Sequence, residues 1–382
     1  MRIRIQSDRI LTPQGLLSGY IYCADGTITA VTPDGSLPYD TAYDRTGLYV
    51  SAGFVDMHTH GANGFDFSAT AEDVVSGCNF LLRHGATTVC PTVSAAPFSE
   101  MAAAVRSIRS AMHAPELQPH VPGAHLEGPY LSPAQCGAQN AAILTDPVCA
   151  DYTALVRECG DAIIRWTFAP ERDTDGAFCA FLRRSSIVPS AGHTDATYAQ
   201  MLPALESGCR LITHLYSCTS TVTRDHGFRR PGVIETAFLR DDVYVEIIAD
   251  GKHLPPELIR LVLKIKGTDR VALVTDSLSP AGTDVTRGMM AQTPFVIENG
   301  VCMLSDRSAF AGSIALPDTL VRVLTREVGV SLSDTVKMLT AVPAKILGLN
   351  TGILAEGYDA DVIAFDDQIC VQSAFVSGVE VF

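Results

Sequence analysis

Gly53-Phe54-Val55-Asp56-Met57-His58-Thr59-His60-Gly61 is the stretch on which the reading of this chain turns. An apolar run ends in His-x-His and stops at glycine. Alternation along a strand puts His58 and His60 on one face. Two imidazoles at a strand's carboxyl end can grip one metal ion. A bare His-x-His is weak evidence by itself. Its weight depends on whether the rest of the chain brings partners to the same place.

Outward from that stretch, strand and helix patterns alternate. Candidate strands cover 54–58, 87–93, 121–127, 164–170, 187–193, 211–215, 243–249 and 271–275. Helical patterns between them cover 70–83, 98–112, 146–159, 174–184, 196–207, 232–240 and 255–266. Eight strands alternating with helices predict a (β/α)8 TIM-like barrel. A doubly wound open sheet is the rival; the strand count and the polar residues at strand ends favour the barrel. Residues 281–302 read as irregular. Residues 317–328 and 331–347 read as helical, with Pro343 inside the second. The first 50 residues alternate as short strands about turns such as Asp25-Gly26. The tail returns to β texture at 352–354, 357–365 and 374–382. Neither end buries enough alone. The expectation is therefore one small β-sandwich domain built from 1–50 and 350–382, around a barrel spanning 51–349.

Composition narrows the class. The chain has 382 residues, 47% of them hydrophobic, and a net charge of -14 from 28 basic and 42 acidic residues. An acidic chain is a poor partner for nucleic acid or an anionic membrane, and an anionic substrate needs a locally basic pocket. Eleven cysteines, an odd number with no C-x-x-C pair, suit reduced thiols and a cytoplasmic setting. The alternating start Met1-Arg2-Ile3-Arg4-Ile5 lacks a signal-peptide core. No apolar run reaches the ~18–20 residues that span a bilayer.

Barrel active sites lie at the carboxyl ends of the strands. Those ends carry His58 and His60, Glu127 in His125-Leu126-Glu127-Gly128-Pro129, His193, His214 and Asp276. Four of the ten histidines thus converge on one rim with two carboxylates. Such a set with an open position suits a catalytic divalent ion, zinc first and iron second. Plainer readings stay open one by one: Glu127 as a loop carboxylate, His193 and His214 as satisfied core histidines, Asp276 as a helix cap. His84, His113, His120 and His226 fall outside the pattern. His125 reads as a packing residue, although it faces with Glu127.

The motifs resemble the amidohydrolase superfamily and, within it, the N-acetylglucosamine-6-phosphate deacetylase family. The resemblance runs through Gly53–Gly61, His125-Leu126-Glu127-Gly128-Pro129-Tyr130-Leu131, Gly192-His193-Thr194-Asp195-Ala196-Thr197, Thr213-His214-Leu215-Tyr216, Asp250-Gly251-Lys252-His253, Val274-Thr275-Asp276 and Ala311-Gly312-Ser313. It covers nearly the whole chain. The His-Leu-Glu-Gly-Pro stretch discriminates best, since most of the superfamily uses a carboxylated lysine there. The resemblance implies Glu127, His193 and His214 as principal metal ligands. It implies His58 and His60 as holders of a second ion, so one or two ions per chain. Asp276 would be general base and acid. His253 and Arg229 would contact the sugar phosphate or hydroxyls, with Arg229 offered to a neighbouring subunit of a homodimer. Ala138, Ser217, Cys218, Phe310, Ala311 and Gly312 would line the sugar site.

Two departures bear on the substrate that the resemblance implies, a small N-acetylated sugar phosphate. Ser217-Cys218-Thr219 stands where the family has Asn-Ala-Met, and Arg230 stands where it has Glu. The expected reaction is deacetylation of N-acetylglucosamine 6-phosphate. The alternatives are another N-acetyl sugar phosphate, such as N-acetylgalactosamine 6-phosphate, or a cyclic amide. A non-catalytic scaffold is the rival of another class; the full set of ligands with Asp276 argues against it.

Overall fold

Eight parallel strands pair strictly in chain order: Phe54–Thr59, Ala86–Ser94, Ala124–Glu127, Ile163–Phe168, Val188–Ala191, Leu211–Ile212, Tyr244–Ile248 and Val271–Val274. The first and last meet through the Asp276 N–H donating to the His58 carbonyl at 2.9 Å and the His60 N–H to the Ser277 carbonyl at 2.8 Å. The fold is a (β/α)8 barrel, seen in a computed structural model that describes residues 1–290 and 293–382. Phe54–Thr59 is buried along its whole length, as expected for parallel strands covered on both faces. Glycines bound the opening motif because side chains do not fit there. A Cβ on Gly53 would lie 2.0 Å from Thr87 Oγ1, and one on Gly61 would lie 2.2 Å from the Phe65 carbonyl oxygen.

All seven expected barrel helices form. Phe98–Ala111 shows the logic: Met101, Val105 and Ile108 recur on one buried stripe while charges face out. Ala71–Leu82 starts at Thr70, whose side chain accepts from Asp73 N–H while the Asp73 carboxylate accepts from the Thr70 N–H. A second sheet joins both chain ends. Val362–Phe365 runs antiparallel to Tyr49–Ala52, which runs parallel to Arg2–Thr12. Val371–Val376 and Gly15–Ala24 extend it on either side. Its own core includes Ile3, Ile5, Ile21, Val50, Val362 and Phe375.

Several elements differ from the sequence reading. The 281–302 stretch is not irregular: Arg287–Met290, Thr293–Glu298, Val301–Leu304 and Phe310–Gly312 form an antiparallel meander, with 291–292 outside the described residues. Its turns sit at Asn299-Gly300 and Asp306-Arg307, where Asn299, Gly300 and Arg307 have positive φ. Residues 352–354 form no strand; their backbone turns at Gly352, φ 81°. The helix expected over 331–347 is two, Leu332–Leu339 and Ala341–Leu347, divided at Thr340. Pro343, three residues on, has no N–H to continue one ladder. A short hairpin, Thr223–Asp225 with Phe228–Arg230, projects from the loop after the sixth strand.

Candidate active site

The strand ends fall short of the residues that matter. Val188–Ala191, Leu211–Ile212 and Val271–Val274 stop two residues before His193, His214 and Asp276. These three have positive φ: 47°, 25° and 47°. A non-glycine residue with positive φ costs free energy and persists where its surroundings hold it, commonly at functional sites. Here the backbone turns each side chain inward over the barrel mouth.

His58, His60, Glu127, His193, His214 and Asp276 form one cluster. Glu127 Oε1 lies 3.2 Å from His193 Nε2, 3.1 Å from His214 Nε2 and 3.4 Å from His58 Nε2. Asp276 Oδ1 lies 3.3 Å from His58 Nε2 and 3.2 Å from His60 Nε2. Two triads, His58 with His60 and Asp276, and His58 with Glu127 and His214, have ligand atoms within 4.8 Å of one another.

The far side of each ring decides what the near side offers. His193 Nδ1 faces the Gln135 carbonyl at 2.9 Å, and His214 Nδ1 faces the Ser217 carbonyl at 3.1 Å. A carbonyl only accepts, so each Nδ1 carries the proton and each neutral ring turns an Nε2 lone pair inward. Those two Nε2 atoms are 3.2 Å apart, and both face a carboxylate. His58 Nε2 is buried without a hydrogen-bond partner. Acceptors facing acceptors require a cation among them, a proton or a metal. Imidazole nitrogens and carboxylate oxygens with their outer atoms already engaged fit a divalent ion.

The electrostatics say the same. Burial opposes charge on His60, yet its bonds to Asp276 and Glu127 raise it to about 10. Burial likewise opposes charge on His193, but Glu127 carries it well above the ordinary imidazole value. Burial pushes Asp276 up; its proximity to His58 and its contact with His60 outweigh it and hold the carboxyl at about 2. Glu127 is held well below the usual range against its own burial, chiefly by His193 and His58.

A cavity of ≈ 1020 Å³ opens over the cluster. Ala138, Ser217, Cys218, His253, Phe310, Ala311 and Gly312 all line it. His253 is fixed by Asp250 (Nδ1 to Oδ2 2.8 Å) and meets the Phe310 ring edge-on at 4.9 Å. Arg229 is not brought into this cavity. It sits on the exposed hairpin, with its guanidinium donating to the Gly227 carbonyl. Among the described residues no lysine or arginine lines the cavity, whereas Asp66, Glu100, Glu127 and Asp276 do. His125 is a satisfied core residue, 2.7 Å from Thr167 Oγ1 and 3.2 Å from Thr92 Oγ1. His84 pairs with Asp318 and His120 with Asp361, away from the cluster.

Sequence reasoning passed over several supporting residues. Gln139 donates to Glu127 Oε2 at 2.9 Å. Ser94 Oγ lies 3.1 Å from His60 Nδ1. Beneath the cluster, Arg165 and Glu246 form a fully buried pair. Their signal was a charge in an otherwise apolar strand, Ile164-Arg165-Trp166 and Val245-Glu246-Ile247. Gln139 and Ser94 carry no such signal, because polar residues in loops are ordinary.

A model of the amidohydrolase family matches residues 49–381. The chain is similar to an N-acetylglucosamine-6-phosphate deacetylase from Lysinibacillus sphaericus, 29% identical over 94% of this chain and 92% of that one. It is similar to an N-acetylgalactosamine-6-phosphate deacetylase from Shewanella sp. (strain ANA-3), 31% identical over 88% and 84%. Its fold superposes on a mutant N-acetyl-D-glucosamine-6-phosphate deacetylase from Mycobacterium smegmatis in complex with N-acetyl-D-glucosamine-6-phosphate. That match has a TM-score of 0.91 and 28% identity over 100% of this chain and 99% of that one.

Proposed function

The chain belongs to the amidohydrolase family, and on that premise we propose that it hydrolyses the acetamide of N-acetylglucosamine 6-phosphate to glucosamine 6-phosphate and acetate. The observation that carries this is the histidine–carboxylate cluster, with its free Nε2 atoms turned to the floor of a sugar-sized cavity. Glu127, His193 and His214 would hold a divalent ion, with His58 and His60 available to a second. Zinc is the first candidate for these donors and iron the next. A bound divalent ion there supplies Lewis acidity to water and to the amide carbonyl.

Asp276 is the base. Its carboxylate is ionised at neutral pH and stands at the cavity floor beside His58 and His60. It takes the proton from the attacking water and returns it to the leaving amine nitrogen. His253, braced by Asp250, presents its ring to the sugar. Ala138, Ser217, Cys218, Phe310, Ala311 and Gly312 shape the remaining wall.

The phosphate needs cations, and among the described residues no lysine or arginine lines this cavity. The hairpin carrying Arg229 and Arg230 is exposed, with Phe228 71% exposed between Gly227 and Arg229. We assign it to the site of a second copy, making the active form a homodimer. An exposed aromatic beside two arginines suits such a contact. Eleven cysteines, none of them in a disulfide, support a reducing, cytoplasmic setting. Among the described residues no helix is long and apolar enough to cross a membrane.

A second reading keeps the chemistry and changes the sugar. The Shewanella relative is named for the galactosamine epimer, and Ser217-Cys218 puts a hydroxyl and a thiol where the N-acetylglucosamine-6-phosphate deacetylase family has asparagine and alanine. kcat/KM measured on both N-acetylhexosamine 6-phosphates and on free N-acetylglucosamine tests all of this. The proposal expects N-acetylglucosamine 6-phosphate to be best and the free sugar far poorer. A preference for the galactosamine epimer would move the assignment to the second reading. Equal rates with and without phosphate would remove the phosphate from recognition.

A further inference from the structure

We propose that Glu246, held by Arg165, is the positioning residue that aims His58 at the metal site and links the two ligand triads. This rests on the metal-site reading above. Glu246 lies on the seventh barrel strand, fully buried. Its Oε2 meets three donors: Arg165 Nη2 at 2.9 Å, the backbone N–H of His214 at 3.3 Å and His58 Nδ1 at 3.5 Å. Its Oε1 is bound by Arg165 Nη1. Arg165, with no exposed surface, donates also to the Met57 carbonyl at 3.2 Å, Thr213 Oγ1 at 2.9 Å and Ser190 Oγ at 3.1 Å.

The geometry sets the tautomer of His58. A carboxylate only accepts, so it keeps the proton on Nδ1 and leaves the Nε2 lone pair facing Glu127 and Asp276. The same oxygen holds the N–H of His214, whose φ of 25° needs support. His58 belongs to both triads and His214 to one of them. One carboxylate oxygen therefore fixes a shared ligand and the backbone of a second. Arg165 makes that position affordable for a buried anion, since it neutralises Glu246 and reaches the chain one residue before His58.

Glu246→Gln breaks the arrangement with little change of shape. Whichever way the amide turns, its NH2 replaces one acceptor: in place of Oε1 it faces Arg165 Nη1, and in place of Oε2 it faces Arg165 Nη2, the His214 N–H and His58 Nδ1. The test is a titration of chelator-stripped protein with zinc against a chromophoric competitor, together with melting curves of the stripped protein. Zinc affinity should fall about 10- to 100-fold, the usual cost of losing an outer partner of a ligating histidine. The stripped variant should still unfold cooperatively. A folded variant with zinc affinity within twofold of the parent overturns the proposal, whatever its melting temperature. If Glu246→Gln does not fold, the paired variant Arg165→Met/Glu246→Leu removes both charges at once and receives the same titration, with the same two outcomes. Nitrogen-15 NMR of the stripped parent adds an independent reading. His58 should carry its proton on Nδ1; an Nε2–H tautomer contradicts the proposal even if the parent binds zinc and turns over substrate. Failure of the parent to bind zinc at all counts against the metal-site reading instead, so the two failures are distinguishable.

Discussion

The two ends of the barrel handle buried charge in opposite ways. At the amino end Asp361 is buried, and its oxygens accept from Thr351 Oγ1 at 2.9 Å, the Ser377 N–H at 2.9 Å and the His120 ring at 3.1 Å. Its backbone carbonyl accepts from Gly53, at the foot of the first barrel strand. At the carboxyl end, Glu127 and Asp276 face histidine nitrogens whose outer atoms are already committed, and His193, His214 and Asp276 sit on backbone with positive φ. Asp361 is satisfied by protein donors; Glu127 and Asp276 instead face imidazole Nε2 atoms, a donor set that suits a divalent cation. Stability sits at the first end and chemistry at the second, as the barrel architecture separates them.

The comparison breaks most visibly at Asp276. Asp276→Asn keeps shape and hydrogen bonding but cannot take a proton, so kcat should fall by at least ~10²-fold with fold and metal content preserved. A helix-cap role predicts almost no change, because Asn caps as well as Asp. Near-parental kcat in a folded, metal-loaded variant would strike Asp276 from the mechanism. Glu127→Ala or His193→Ala should strip metal from the purified protein, measured by elemental analysis. His58→Asn with His60→Asn should leave about one ion if the Glu127–His193–His214 site loads separately from the His58–His60 site.

The next test concerns the missing cations. Arg229→Ala should lower kcat/KM on the phosphorylated sugar by about 10- to 100-fold, the worth of a charge-assisted hydrogen bond. Mixing Arg229→Ala with Asp276→Asn chains should restore activity in mixed dimers. No recovery after demonstrated subunit exchange would return Arg229 to its own chain.

Acidity sharpens the same contrast. His60 and His193 have raised affinity for protons, and a metal must displace those protons. Metal affinity should therefore rise with pH through the neutral range, with protons released on binding, as calorimetry in buffers of different ionisation enthalpy can count. The amino end gives the smallest effect. The hydrogen bond to Asp361 raises His120 above its ordinary imidazole value. Its stabilisation is full below the ordinary value and is lost as pH rises through the raised one. The His120 side chain is 43% exposed, so His120→Gln should cost under about 1 kcal/mol, and only on the acid side.

How much of this was legible in the sequence follows from what alternation and composition can report. The seven helices are long enough for their periodicity to show, and the eight strands, several of them short, showed as apolar runs between the helices. The six cluster residues stood out because charged or imidazole side chains ended apolar runs. The part of the meander within 281–302 was read as irregular because Gly288 and Pro294 interrupt the strand pattern and the chain turns at Asn299-Gly300. The positive φ of His193, His214 and Asp276 left no mark, since the strand reading ran through His193 and His214 and up to the residue before Asp276. Arg165 and Glu246 lie on different strands, 81 positions apart; each was visible as an oddity and neither as a pair. The exposed hairpin explains why Arg229 could be named and not seated.

Metal-dependent deacetylation stands or falls on acetate release. The purified chain, metal-loaded, is given N-acetylglucosamine 6-phosphate; then the same sample is stripped with chelator and reloaded. Acetate and glucosamine 6-phosphate should appear in equal amounts, lost on stripping and recovered with the ion. Undiminished release from the stripped protein, or none from a fully loaded one, would contradict it.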